Sequence, residues 1–185
     1  MDKILYDLTK KLALPNYNKE DLSVIKDIGL LLERHQKNAY KNQDYKALFT
    51  NSLFNSVTLS EPEFSELFYL LFYVLINFQD ERSSYIAQAF SRFTYPNSEN
   101  SLARALKIYY KIDDVCTHYL LMALLNYRRL DLIKPSTQKL LLEIATFGSP
   151  KSKDFLISKF SIYKQHSNFD IWKVGGSRSI ESYKG

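Results

Sequence analysis

The chain has 185 residues, a 45% hydrophobic fraction and a formal net charge of +5. That is enough apolar material to bury one ordinary globular core, and it argues against a disordered chain. Only five Gly and five Pro are present beside 14 Tyr and 12 Phe, which leaves little turn material for hairpins and argues against an all-β fold. The single cysteine, Cys116, excludes an internal disulfide and a cysteine-cluster metal site.

Met1 to Leu14 reads as a short amphipathic helix with Ile4, Leu5, Leu8 and Leu12 on one side, ended by Pro15. The stretch contains acids and lysines and lacks the apolar core of a signal peptide. With the lone cysteine, this leads to the expectation of a cytoplasmic protein. A second helix is expected to start at Asn18 and to carry Leu22, Ile25, Ile28 and Leu32 to about His35. Residues 36–43 are polar and read as a corner, followed by a helix from Asp44 through Leu48, Phe49 and Phe54.

Ser60-Glu61-Pro62-Glu63 combines a cap, a first-turn proline and flanking acids, a strong helix start. The helix it opens is apolar almost all round, from Phe64 to Leu75, and is expected to be central and doubly covered. The apolar run Phe64 to Phe78 is shorter than the roughly 20 residues of a membrane span, so no membrane partner is expected. Gln79-Asp80 forms the next corner, and a helix is expected from Glu81 to about Phe93.

After a break at 95–98, with Ser98 as cap, comes a helix carrying Leu102, Ala105, Leu106 and Tyr109. Asp113-Asp114 turns it into a second helix carrying Tyr119, Met122 and Ala123. After residues 128–135, Ser136 opens another helix, which Gly148 is expected to stop in a left-handed conformation. Ser149-Pro150 starts the last one, through Phe155 and Phe160. From about residue 167 the helical periodicity is lost. Residues 1–166 are therefore expected to form one helical domain, and 167–185 a tail partly docked through Phe169, Ile171 and Trp172.

An internal repeat emerges when the corners are aligned. Asp44, Asp80, Asp114 and Pro150 lie 36, 34 and 36 residues apart. Five residues later stand Phe49, Tyr85, Tyr119 and Phe155, and ten later Phe54, Phe90, Leu124 and Phe160. A leucine-rich helix precedes each corner. On these residues, clearest over 101–127, the chain resembles the HEAT-type repeat proteins from about Leu22 to Phe160. A tetratricopeptide array ranks second, because Asn42 to Ala47 has its flavour while the Trp-Gly-Tyr pattern is missing. An irregular bundle ranks third. The resemblance implies an all-α, right-handed α-α superhelix of about four antiparallel helix pairs plus an N-terminal helix, with a binding surface lined by second helices.

No chemical motif accompanies this architecture. There is no GxxxxGK[ST], GxGxxG or HExxH, and His35, His118 and His166 lie far apart. Cys116 and His118 are two apart on a helix and point in different directions, so they make no nucleophile–base pair. Asp113 and Asp114 suit helix capping better than catalysis. No catalytic residue, cofactor or metal is expected.

Charge gives the remaining lead. Residues 1–60 carry nine Lys+Arg against seven acids, 61–98 two against five, and 99–185 fourteen against eight. The candidate binding surface is therefore Arg104, Lys107, Lys111, Arg128, Arg129, Lys151, Lys153 and Lys159, with Trp172 in the tail. The expected function is a non-catalytic protein-binding scaffold such as an adaptor or a toxin-neutralising immunity protein. The alternative is nucleic-acid binding through the basic C-terminal half. Some HEAT-like proteins are alkylpurine DNA glycosylases, and the resemblance then implies Asp113, Asp114 and Trp172 as stand-ins for that chemistry.

Overall fold

The computed structural model describes residues 2–41, 52–125 and 132–166. Among these are eight α-helices and no strand, so the fold is all-α. The helices are α1 (Lys3–Leu12), α2 (Leu22–Lys41), α3 (Glu61–Asn77), α4 (Arg82–Phe90), α5 (Glu99–Tyr109), α6 (Asp114–Leu125), α7 (Pro135–Phe147) and α8 (Pro150–His166). The chain divides into two compact units, Met1–Tyr95 and Pro96–Gly185. The helices on either side of residues 42–51, and those on either side of 126–131, belong to one unit in each case.

Local sequence explains most helix starts. The Asp2 carboxylate accepts from Leu5 N at 3.0 Å. Ser60 and Glu63 close a reciprocal capping box at α3, with Pro62 in the first turn. The Asp113 carboxylate caps α6 by accepting from Cys116 N at 2.9 Å, and Ser149 Oγ caps α8 by accepting from Ser152 N at 3.2 Å. Asn18 caps a 3-10 turn, Lys19–Asp21, that leads into α2. Ser98 stands at the α5 start in helical backbone and makes no side-chain cap bond.

In the first unit α1 packs on α3, α2 on α4, and α3 on α4. The core here is aromatic. Phe68 stacks on Phe90 at 4.6 Å between ring centroids and meets Tyr95 edge-on at 4.8 Å; Phe64 meets Tyr95 at 5.1 Å and Phe93 at 5.7 Å. The α2–α4 contact is close because Gly29 faces Ala89. A Cβ on Gly29 would lie 2.7 Å from the Ala89 Cβ.

Below this core sits a buried cation. Arg82 is fully buried at the start of α4. Its Nε and Nη2 donate to the Asp80 carboxylate at 3.0 and 2.7 Å, and Nη1 donates to the carbonyls of Leu12 (2.6 Å) and Leu14 (2.7 Å). The guanidinium carbon lies 4.3 Å from the ring centres of both Tyr17 and Phe78. One side chain thus joins the end of α1, the chain after Pro15 and the α3–α4 corner. Burial pushes the Asp80 carboxyl up, but hydrogen bonds from Arg82 and its charge outweigh this and hold it below its ordinary value.

In the second unit α5 packs on α6 and α7, and α8 packs on α6 and α7. The four helices form two layers, α5/α7 and α6/α8, around an aliphatic core that includes Leu102, Leu106, Leu120, Leu121, Leu141, Ile144 and Leu156.

Several expectations change. Helix α2 does not end near His35 but runs to Lys41. Its polar end is held by tertiary bonds: Gln36 Oε1 accepts from Thr94 N at 2.9 Å, and Arg34 donates to the carbonyls of Phe54, Asn55 and Val57. Phe54, expected in a helix, lies buried in a turn over 53–56. Of that expected helix and its Asp44 corner, residues 42–51 lie outside the described residues. Because α2 stands beside α4, it takes the place of a second helix rather than of a first one. Ile4 is exposed, and Leu5, Thr9 and Leu12 form the buried side of α1 instead. Helix α4 stops at Phe90. Helix α3 is covered on one side only, and Tyr85, expected in a packing column, is exposed.

Gly148 is not left-handed: its φ of −74° and ψ of −179° are extended. Glycine is needed there for space, since a Cβ would lie 2.4 Å from the Ile144 carbonyl oxygen. The expected tail, including Trp172, lies outside the described residues.

Gly29→Ala is expected to force α2 and α4 apart and to cost about 1–3 kcal/mol in urea unfolding, the usual range for overpacking. Adding Ala89→Gly should recover part of that loss, giving a double-mutant coupling of about 1 kcal/mol. Strict additivity would show that the two helices do not meet at these residues.

Candidate binding surfaces

The titratable residues most suggestive of chemistry are absorbed by packing. Cys116 is buried, and burial together with the Asp113 charge pushes its thiol far up, which removes the thiolate needed for nucleophilic attack. The Asp113 carboxylate is engaged with the Cys116 N–H, and the Thr117 hydroxyl donates to the Asp113 carbonyl at 2.7 Å. His118 lies between α6 and α8, edge-on to Phe155 at 5.4 Å, and its Nδ1 is buried without a hydrogen-bond partner among the described residues. Burial, and then the Lys151 charge, lower its pKa from the ordinary 6.5. In the first unit, His35 Nε2 meets Glu61 at 2.9 Å and its ring stacks on Phe64. No group of three or more His, Cys, Asp or Glu that could hold a metal occurs among the described residues, and no helix among them is long and apolar enough to cross a membrane.

Two exposed faces stand out. The first surface is the outer face of α3. Apolar residues occur all round this helix, yet it packs along one side only. Phe64, Leu67, Phe68, Leu71, Val74 and Leu75 are buried. Tyr69 and Tyr73, one turn apart, are 43% and 51% exposed. Glu66 and Asn77 continue the same exposed line, and Leu70, Phe72 and Ile76 are half-buried beside it. Both tyrosines are braced by neighbouring rings: Tyr69 lies edge-on to buried Phe68 at 5.3 Å, and Tyr73 edge-on to half-buried Phe78 at 6.1 Å. Such rings are amphipathic anchors that lose little freedom on binding. From Thr58 to Glu81 the chain has no Lys, Arg or His. A run of exposed tyrosine on an apolar helix was legible as sequence, but the expected double cover hid it.

The second surface contains part of the candidate basic set. Arg104 and Lys107 share the exposed line of α5 with Asn100, and Lys111, two residues past its end, continues it. Lys151, Lys153 and Lys159 stand on α8. Of these, Lys151 is exposed, the other two are half-buried, and Lys159 lies 5.5 Å over the Phe155 ring. Because α5 and α8 occupy opposite corners of the second unit, these two groups lie on different layers. Arg128 and Arg129 lie outside the described residues. Two further cations, Lys134 and Lys139, join the α5 line from α7. Lys134 caps α7 and Lys139 lies in it, and only the side-by-side packing of α5 and α7 brings them in.

His118 provides a pH test of the α6/α8 packing. Its folded pKa is depressed, so the unfolded chain binds more protons near pH 6.5. Its contribution to stability is complete above that pH and is lost as pH falls. His118→Phe should match the parent chain at pH 8 and lose less stability between pH 7 and 5. Parallel stability curves would place the imidazole in water.

No protein-family model matches the chain, and neither a curated protein nor a solved structure matches it.

Proposed function

We propose that the chain is a non-catalytic helical scaffold that binds another protein through the outer face of α3. The observation that carries this reading is the pair Tyr69 and Tyr73: two large, braced, half-exposed aromatic side chains on an apolar helix that carries no cation. Tyrosine is enriched among the residues that dominate interface energy, and a braced ring has already lost much of the freedom that binding would remove. Engagement of Cys116, Asp113 and His118 in packing supports a binding role over a catalytic one. An adaptor or a toxin-neutralising immunity protein would use such a face, as an architectural analogy.

The stacking order supports a HEAT-like arrangement as part of the proposal. First helices meet first helices (α1 with α3, α5 with α7), and second helices meet second helices (α2 with α4, α6 with α8). Nearest-neighbour stacking of this kind leaves the outer faces of the layers open. The alternative, a nucleic-acid binder, rests on the basic stretch 99–185. The division of its cations between the α5 and α8 faces weakens a single phosphate-tracking groove.

A photo-reactive amino acid placed at 69 or 73 in the source cell tests this reading. A discrete nuclease-resistant adduct with one protein is expected, absent when the group is placed at Ser84 on α4. The double variant Tyr69→Ala/Tyr73→Ala should bind that partner at least about tenfold more weakly while keeping its helical circular dichroism. Adducts that vanish with nuclease, or equal labelling from position 84, would contradict the proposal.

A further inference from the structure

A second exposed face, independent of the α3 reading, is the outer side of the α5/α7 layer. Its geometry is fixed by contacts at both ends. At one end, Lys134 N donates to Glu99 Oε1 at 2.8 Å and Lys134 Nζ to Asn100 Oδ1 at 3.0 Å. Toward the other, the Tyr110 hydroxyl donates to Glu143 Oε1 at 2.6 Å. Helices α5 and α7 therefore run side by side in the same direction. The exposed line Asn100, Arg104, Lys107, Lys111 of α5 lies alongside the exposed line Ser136, Lys139, Glu143, Phe147 of α7.

The charges on this face are unequal in their engagement. Glu99 and Glu143 are used in the cross-helix bonds just described. Lys111 lies 5.0 Å over the Tyr110 ring. Arg104, Lys107 and Lys139, between the two ends, have no ion-pair or hydrogen-bond partner among the described residues. Beyond them the same face turns apolar. Phe147, on the α7 line, is 71% exposed, and Ile112, just after α5, is 60% exposed. The register set by Tyr110 and Glu143 places both at the same end of the layer. From Asn100 to Lys111 the line spans about 16 Å at the usual helical rise.

We infer that this face binds an acidic amphipathic segment of a protein partner. Its carboxylates would meet Arg104, Lys107 and Lys139, and one large apolar side chain would cover Phe147 and Ile112. Charge complementarity selects the sign of the partner. The apolar end and the two carboxylates that bracket the line favour a polypeptide over a phosphate chain, which would have to pass Glu143 and would leave Phe147 bare. Partner recognition would then begin with salt-sensitive steering and end in burial of an aromatic anchor.

The test uses the full chain and fluorescence anisotropy with three probes of about the length of this face. These are a helical peptide with glutamates at i, i+4 spacing and a terminal phenylalanine, the same peptide with lysine for glutamate, and a single-stranded DNA oligonucleotide. The acidic peptide should bind, the lysine peptide should not, and raising salt from about 50 to 200 mM should weaken binding severalfold. Lys107→Glu with Lys139→Glu, and separately Phe147→Ser, should each weaken it at least about tenfold, whereas Lys151→Glu with Lys153→Glu should not. Circular dichroism of each variant confirms that the helices persist. The inference is overturned by failure of the acidic peptide to bind. It is equally overturned by tighter binding of the DNA that is insensitive to Phe147→Ser, or by dependence on the α8 lysines instead. None of these outcomes bears on the tyrosine face of α3, whose own test is the cross-link.

Discussion

The first unit depends on the burial of one positive charge. A guanidinium removed from water is tolerated only when its N–H groups are satisfied and its charge is balanced. Arg82 meets both demands at once, through the Asp80 carboxylate, two backbone carbonyls and two aromatic faces. The carbonyls belong to Leu12, at the end of α1, and Leu14, where a helix presents unpaired acceptors and the negative end of its dipole. The same cation therefore ends α1, fixes the chain past Pro15 and starts α4. Helix α3 packs against both α1 and α4, so this clamp also decides which side of α3 is covered. The side left open carries Tyr69 and Tyr73.

Much of the local architecture was legible in the sequence because local chemistry decides it. Ser60-Glu61-Pro62-Glu63 specifies a helix start by itself, and so do Asp113 and Ser149-Pro150. What was not legible depends on residues distant in sequence. Gln36 and Arg34 look like the polar end of a helix, yet they prolong α2 by bonding to Thr94 and to the carbonyls after Ser52. In sequence, Arg82 follows an acidic corner and resembles a solvated charge; only the carbonyls some 70 residues earlier bury it. Gly29 is one glycine in a helical pattern until Ala89 is placed opposite. Gly148, from its position after a helix, suggests a positive φ, whereas the structure uses it to avoid the Ile144 carbonyl.

The candidate surfaces follow the same division. The basic line of α5 was visible as Arg104, Lys107 and Lys111 at helical spacing. Lys134 and Lys139 were not added to it, because joining them requires the register between α5 and α7 that Glu99, Asn100, Tyr110 and Glu143 set. Conversely, α8 carries lysines that sequence composition grouped with α5 and that packing assigns to the other layer. In both units the polar groups that might have suggested catalysis serve as caps, clamps or packing. The exposed side chains are aromatic on α3 and cationic with an apolar end on α5/α7.

The dependence of the first unit on Arg82 is tested most directly by native-state hydrogen exchange on Arg82→Met. Removing one member of a buried pair typically costs about 3–5 kcal/mol, or on the order of 10²–10⁴ in protection. The account predicts a loss of this size at the amides of Ala13 and Leu14, which bond to Lys10 and Lys11, and in the first turn of α4, with protection in α5 to α8 retained. Unchanged protection at the end of α1 would show that the clamp does not hold the unit together.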